Sequence, residues 1–197
     1  RDPEMSRGLG DVYKRQGLFI EGMSVTVNPY TSCGKCSSCR KGRPNACEHN
    51  ETFGVQRDGA MSDFIAVPWE KVIAAPGIPP RDCALIEPMS VGFHAVDRGV
   101  VTDIDTVMVI GCGMIGLGAV VRASMRGATV VAVDLDDDKL QLARRLGATH
   151  AVNSRTENVH ERLVALTGGL GPDHFQAAQA HARGFQGIAV AGPVGHG

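Results

Sequence analysis

Aromatic side chains are scarce in this chain of 197 residues: one tryptophan, two tyrosines and six phenylalanines, 5% of the total. A surface that stacks nucleobases needs more of them, and an excess of positive charge besides. That excess is also missing, since 20 lysines and arginines face 21 aspartates and glutamates for a formal net charge of −1. Nucleic acid is therefore excluded as a partner. No apolar run approaches the roughly 20 residues that a helix needs to cross a bilayer, so a soluble protein without a membrane partner is expected. Nothing resembles a secretory signal, which points away from an oxidising compartment and toward the cytoplasm.

Cysteine is present in a telling arrangement. Four of the six stand together at Cys33, Cys36, Cys39 and Cys47, in SCGKCSSCRKGRPNAC. Four thiolates in one short loop, with Gly34 and Gly42 permitting tight turns, can wrap a tetrahedral Zn²⁺ and leave no open position. Such a closed site is structural rather than catalytic. Three other readings compete. An iron–sulfur cluster shares the C-x₂-C-x₂-C start, but the bacterial ferredoxin run brings its fourth Cys sooner, with a Pro directly after it. Two disulfides would need an oxidising compartment. Unrelated core cysteines would not gather on a loop rich in Lys, Arg, Ser and Gly. The remaining pair, Cys83 and Cys112, lies in apolar contexts and reads as small buried side chains.

Both ends of the chain stand apart. Residues 1–16, RDPEMSRGLGDVYKRQ, show neither helical nor strand periodicity. DVYKRQ is the translation of GATGTGTATAAGAGACAG, a transposon end used to prepare shotgun libraries, so this segment is read as a sequencing scar and set aside. Residues 174–197 follow GGLGPD, where the pattern demands an apolar strand. His174, Gln176 and Gln179 interrupt it, which points to a frameshift or to a divergent segment.

Between them, Met23–Asn28 alternates like a half-buried strand, and Asn28-Pro29 turns it into the cysteine loop. Residues 51–76 read as short strands punctuated by Asp58-Gly59, Pro68 and Pro76, suggesting a small β-barrel-like unit. Asp82 can cap a helical stretch through Ile86, and Pro88 suits the first turn of a helix running to about Arg98. From Thr106 the texture becomes β-α-β-α-β-α: strands at 107–110, 129–133 and 150–152, helices at 115–126, 136–146 and 157–166. That alternation implies a parallel, doubly wound sheet.

The first turn of this unit, VMVIGCGMIGLGAV, carries Gly111, Gly113 and Gly116 as G-x-G-x-x-G between a strand and a helix. The first glycine makes the tight turn and the second lets a pyrophosphate approach the backbone. The third allows close helix packing, and Met114 and Ile115 open the helix whose N-terminus faces the phosphates. A lone G-x-G-x-x-G is weak, but here a second strand ends at Asp134, the expected distance for a carboxylate that binds a ribose 2′-hydroxyl. Its neighbours Leu135, Asp136, Asp137 and Asp138 offer no cation for a 2′-phosphate, which favours NAD over NADP.

Taken in order, the four-cysteine lobe, RDGAMSDFIAVP, IEPMSVGFHAV and VMVIGCGMIGLGAVV resemble the zinc-containing medium-chain dehydrogenases/reductases, above all the sorbitol, threonine and sugar-acid dehydrogenase branch. The resemblance covers about Gly17 to Asp173. It implies an α/β chain: a truncated GroES-like, β-rich catalytic domain (17–100, with the zinc lobe at 33–47) followed by a partial Rossmann domain (101–173). It also implies a homodimer or homotetramer for the full-length protein.

The same resemblance implies a hydride transfer from a secondary alcohol, such as a polyol or sugar acid, to NAD, aided by a catalytic zinc. That zinc takes a Cys from a CGxD-type motif, a His from a GHE motif and a third group that corresponds to Glu87, which touches the metal or holds its water. The Cys and His-Glu motifs would precede Gly17 and are not found. His49 and His94 are poor substitutes, one on the zinc loop and one within the helix after Glu87. Ser90, Val91 and Phe93 would neighbour the nicotinamide and substrate, unless they simply pack. The chain alone is expected to be inactive. Alternatives are an L-threonine 3-dehydrogenase-like activity or a zinc-free quinone or enoyl reductase, the latter opposed by the cysteine lobe.

Overall fold

The computed structural model describes residues 19–177 and 190–191. Two compact units divide between Ala84 and Leu85.

In the first unit, β1 (Val25–Val27) pairs antiparallel with β2 (Val72–Ala74), Thr26 opposite Ile73. The strand expected at Met23–Asn28 is thus present but shorter. Residues 51–71 form less sheet than their alternation suggested: among the described residues they hold an isolated bridge, Phe53 to Arg57, and a single 3₁₀ turn at Trp69–Lys71. The bridge closes on glycine for a steric reason. Gly54 takes φ +76, and a Cβ on Gly59 would stand 2.9 Å from the Gly54 Cα.

The cysteine loop carries one turn of helix, α1 (Ser37–Arg40), and a 3₁₀ turn at Pro44–Ala46. A further turn, α2 (Pro80–Cys83), starts at Pro80 rather than under an Asp82 cap; Asp82 lies inside its first turn. Proline's fixed φ and missing N–H suit that first position, so no side-chain cap is needed to begin the turn.

The second unit is built on a sheet of order β5-β4-β3-β6-β7. β3 (Thr106–Ile110), β4 (Thr129–Asp134), β5 (His150–Asn153) and β6 (His174–Ala177) run parallel; β7 (Val190–Ala191) is antiparallel to β6. Helices α3 (Ile86–Arg98), α4 (Met114–Met125), α5 (Asp137–Arg145) and α6 (Val159–Leu166) connect or cover them. The strands are valine-rich because both faces are covered. Val107, Val109, Val130, Val131 and Val152 are all buried, each contributing about 1.5 kcal/mol or more on leaving water.

Two helix starts lie slightly inside their expected positions because the polar residues cap rather than join. The Asp136 side chain accepts from the N–H groups of Asp138 and Lys139, and that of Asn158 from His160 and Glu161. α3 and α4 cross at glycines. A Cβ on Gly92 would strike the Ile115 carbonyl and the Ala119 nitrogen, and one on Gly118 the Met89 backbone.

The strand that His174 and Gln176 were expected to interrupt does form: β6 runs beside β3, with Val109 opposite Gln176. The backbone ladder does not depend on side-chain type, so the cost of the polarity falls on desolvated side-chain atoms instead. Among the described residues, His174 Nδ1 and Gln176 Nε2 are buried without partners. Gln179 and residues 1–16 lie outside the described residues.

Candidate functional site

The cysteine group takes its shape from the turn that follows Asn28-Pro29. Gly34 and Gly42 adopt φ +69 and +71, the left-handed turns expected of them. The four sulfurs of Cys33, Cys36, Cys39 and Cys47 all lie within 4.8 Å of one another, and the Cys36 and Cys47 sulfurs are 4.0 Å apart. Four sulfurs at about 2.3 Å from one zinc ion stand about 3.8 Å apart, so the group fits a tetrahedral metal. Backbone N–H groups converge on the same sulfurs: Lys35 and Cys36 donate to Cys33 Sγ, and Cys33 and His49 to Cys47 Sγ, at 3.3–3.4 Å. These donors favour thiolates.

The charges divide unevenly among them. The N–H groups of Cys39 and Glu48 bring the Cys36 thiol down to about 6. Those of Lys35 and Cys36 lower Cys33 as well. Burial, and then the neighbouring sulfurs, push Cys39 up to about 12. A cluster that cannot shed all its protons alone is one a divalent cation would complete. Among the described residues no other group of three or more His, Cys, Asp or Glu side chains is placed to hold a metal.

The glycine turn sits at the C-terminal end of β3. Gly111 takes φ +88 and donates its N–H to the Val133 carbonyl at 2.7 Å, tying the turn to the neighbouring strand. Gly113 is different: its φ of −77 suits any residue, and a Cβ there would meet nothing within 4 Å. Neither backbone conformation nor internal packing calls for glycine at this position. Gly113 caps the start of α4, where helical bonding begins only at the Leu117 N–H to Gly113 carbonyl bond. The N–H groups of Met114, Ile115 and Gly116 precede that bond, so the arrangement fits a phosphate group. Gly116 is buried.

Asp134, partly exposed at the end of β4, accepts three backbone hydrogen bonds. Its Oδ2 takes the Cys112 N–H at 2.6 Å, and its Oδ1 those of Leu135 and Asp136 at 2.7 and 3.1 Å. The carboxylate thus spans from its own loop to the phosphate turn, a link that sequence spacing did not reveal. It keeps room for one more donor, such as a ribose hydroxyl. Cys112 itself is buried, and burial pushes its thiol up to about 12, leaving it unreactive.

Glu87 stands in the first turn of α3, partly exposed, with Ser90 Oγ donating to its backbone carbonyl at 2.6 Å. It belongs to no metal-holding group among the described residues, so those residues do not assemble a catalytic zinc. The imidazoles of His49 and His94 are exposed and do not join one either. Phe93, expected near the nicotinamide, has the Arg122 guanidinium 5.7 Å from its ring centroid, and Arg122 in turn grips Asp97.

Two family models match: "Alcohol dehydrogenase GroES-like domain" over residues 8–77 and "Zinc-binding dehydrogenase" over residues 115–187. The first takes in part of the segment read as a scar, and the second runs on through 174–187. The chain is 34% identical over 173 residues to the erythritol/L-threitol dehydrogenase of Mycolicibacterium smegmatis, covering 85% of this chain and 48% of that protein. It is 42% identical over 127 residues to the L-galactonate-5-dehydrogenase of Escherichia coli, covering 64% and 36%. Among solved structures it resembles the short chain alcohol dehydrogenase rspB of Escherichia coli CFT073 complexed with NADH. That likeness has a TM-score of 0.72 and 31% identity, over 84% of this chain and 50% of that one. The chain thus spans about half the length of the proteins it matches, or less. With a closed four-sulfur group in one unit and a phosphate-ready glycine turn in the other, it belongs to the zinc-type medium-chain dehydrogenases.

Proposed function

We propose that this chain serves an NAD- and zinc-dependent alcohol dehydrogenase acting on a secondary hydroxyl of a polyol, sugar acid or related small molecule. The observation that carries this reading is Gly113, a glycine that neither backbone nor packing requires, left open at a helix N-terminus beside Asp134. The four cysteines would hold a structural zinc. The N–H groups at the start of α4 would hold the pyrophosphate, and Asp134 would accept the ribose 2′-hydroxyl while repelling a 2′-phosphate. When bound, a catalytic zinc would polarise the alcohol oxygen and NAD would take up the hydride. Glu87 is assigned to that zinc or its water by the resemblance of IEPMSVG. The polyol and sugar-acid class is supported by what the relatives act on. A homodimer or homotetramer in the cytoplasm completes the proposal.

Two measurements test it. The purified chain should bind NADH in preference to NADPH by fluorescence titration, and yet show no polyol oxidation above background, because its described residues assemble no catalytic metal group. The protein expressed from the complete gene should reduce NAD with erythritol, sorbitol or an aldonate. Equal binding of NADPH would overturn the cofactor assignment, and activity on enones or quinones alone would overturn the alcohol assignment.

A further inference from the structure

The end of β5 carries a buried polar residue that the phosphate turn and the ribose carboxylate do not by themselves explain. Asn153 is 8% exposed. Every polar group it has is engaged. Its Nδ2 donates to Asp137 Oδ1 at 2.7 Å, and its Oδ1 accepts the Arg155 N–H at 2.9 Å. Its own N–H goes to Glu157 Oε1 at 3.1 Å, and its carbonyl takes the N–H groups of Thr156 and Glu157. Asn153 lies opposite Asp134 in the β4–β5 register, and Ser154 N–H donates to the Asp134 carbonyl at 3.0 Å.

We propose that Asn153 is a positioning residue for the nucleotide site: it latches the start of α5 through Asp137 and thereby holds the Asp134 carboxylate in its ribose-binding pose. The inference rests on the nucleotide reading above. The path is short and covalently continuous. Asp137 opens α5, and Leu135 and Asp136, which lead into it, are the residues whose N–H groups orient Asp134 Oδ1. The opposite oxygen of Asp134 holds the Cys112 N–H in the phosphate turn. Fixing Asp137 therefore fixes the loop, the carboxylate and one wall of the turn.

The amide matters as a neutral donor. A carboxylate at position 153, itself buried, would face the exposed Asp137 carboxylate across a hydrogen-bond distance, with like charges in contact and one of them cut off from water. Exchanging the two side-chain types would restore one donor and one acceptor with no change in net charge.

The test is a double-substitution cycle on the whole chain, Asn153→Asp, Asp137→Asn and both together, probed with NADH, ADP and 2′-deoxyADP. The parent is expected to prefer ADP over 2′-deoxyADP by about tenfold, the discrimination of one hydrogen bond to a charged acceptor. Asn153→Asp should weaken NADH binding by about tenfold, as expected for contacting, coupled residues, and should bring the ADP to 2′-deoxyADP ratio close to one. The double variant should recover both. A merely structural role would weaken both nucleotides equally and leave the ratio unchanged, which would overturn the proposal, as would failure of the double variant to recover.

If the parent binds neither NADH nor ADP, the nucleotide reading fails by itself. The latch is then judged by amide exchange at Leu135 and Asp136 in the free chain. Faster exchange in Asn153→Asp and recovery in the double variant uphold it; unchanged exchange sinks it.

Discussion

The cysteine lobe and the nucleotide turn lie in different compact units and are held in shape by different means. Around the lobe the described chain offers little core: of its four cysteines only Cys36 is buried, and α1 and the neighbouring 3₁₀ turn bury nothing. The turn rests on a floor of fully buried valines and on two helices in glycine-to-glycine contact. One site is held by what it would bind, and the other by the fold beneath it. Metal loss should therefore undo the first, whereas nucleotide loss should leave the second standing.

The sharpest break of this comparison is Cys39→Ser. Removing one of four sulfurs should abolish zinc retention and loosen residues 33–47, because metal binding and local folding are a single event in such lobes. Amide exchange should accelerate throughout the lobe while protection of β3 and β4 is unchanged. Loss of protection in both units would refute the division of labour.

Next in size is Gly92→Ala, which places a methyl group against the backbone of α4. Overpacking of this kind costs about 1–3 kcal/mol, so thermal melting of the second unit should fall while zinc content holds. Gly113→Ala sharpens the contrast, since the added methyl meets nothing within 4 Å. Stability should be unchanged and NADH affinity should fall by about tenfold or more, from loss of close backbone approach. A melting shift without an affinity change would mean that Gly113 serves packing after all.

The smallest effect concerns Asp97, which the guanidinium groups of Arg122 and Arg126 hold below the usual carboxylate range. A depressed acid stabilises the fold above its ordinary pKa, and that contribution is lost as the pH falls through the lowered value. Asp97→Asn should therefore lower stability slightly at neutral pH and flatten its decline below about pH 4. Because these three side chains remain a quarter to nearly half exposed, added salt should shrink the difference.

Much of this was legible in the amino-acid sequence, and the limits have physical causes. Parallel strands covered on both faces announce themselves as valine runs, so β3 to β5 and their helices were readable to within a residue or two. Cysteine spacing and the glycine turn were readable because few other residues can do their work. The first unit was not, since alternation in 51–76 describes side chains that would suit a sheet without saying whether partner strands are there. β6 shows the converse, a strand made by its neighbour's backbone despite His174 and Gln176.

Links between distant residues, such as Asp134 with the Cys112 N–H and Asn153 with Asp137, depend on which strand ends lie side by side. Gly92 carried a signal that could have been read, a glycine in the middle of an otherwise unbroken helix.

The central claim is that the lobe's geometry belongs to a metal. It is tested most directly by metal analysis with X-ray absorption on the purified chain. One zinc per chain with four sulfur neighbours at about 2.3 Å is the expected result. Iron with inorganic sulfide, a shell containing nitrogen or oxygen, or an ordered lobe with no metal at all would contradict it.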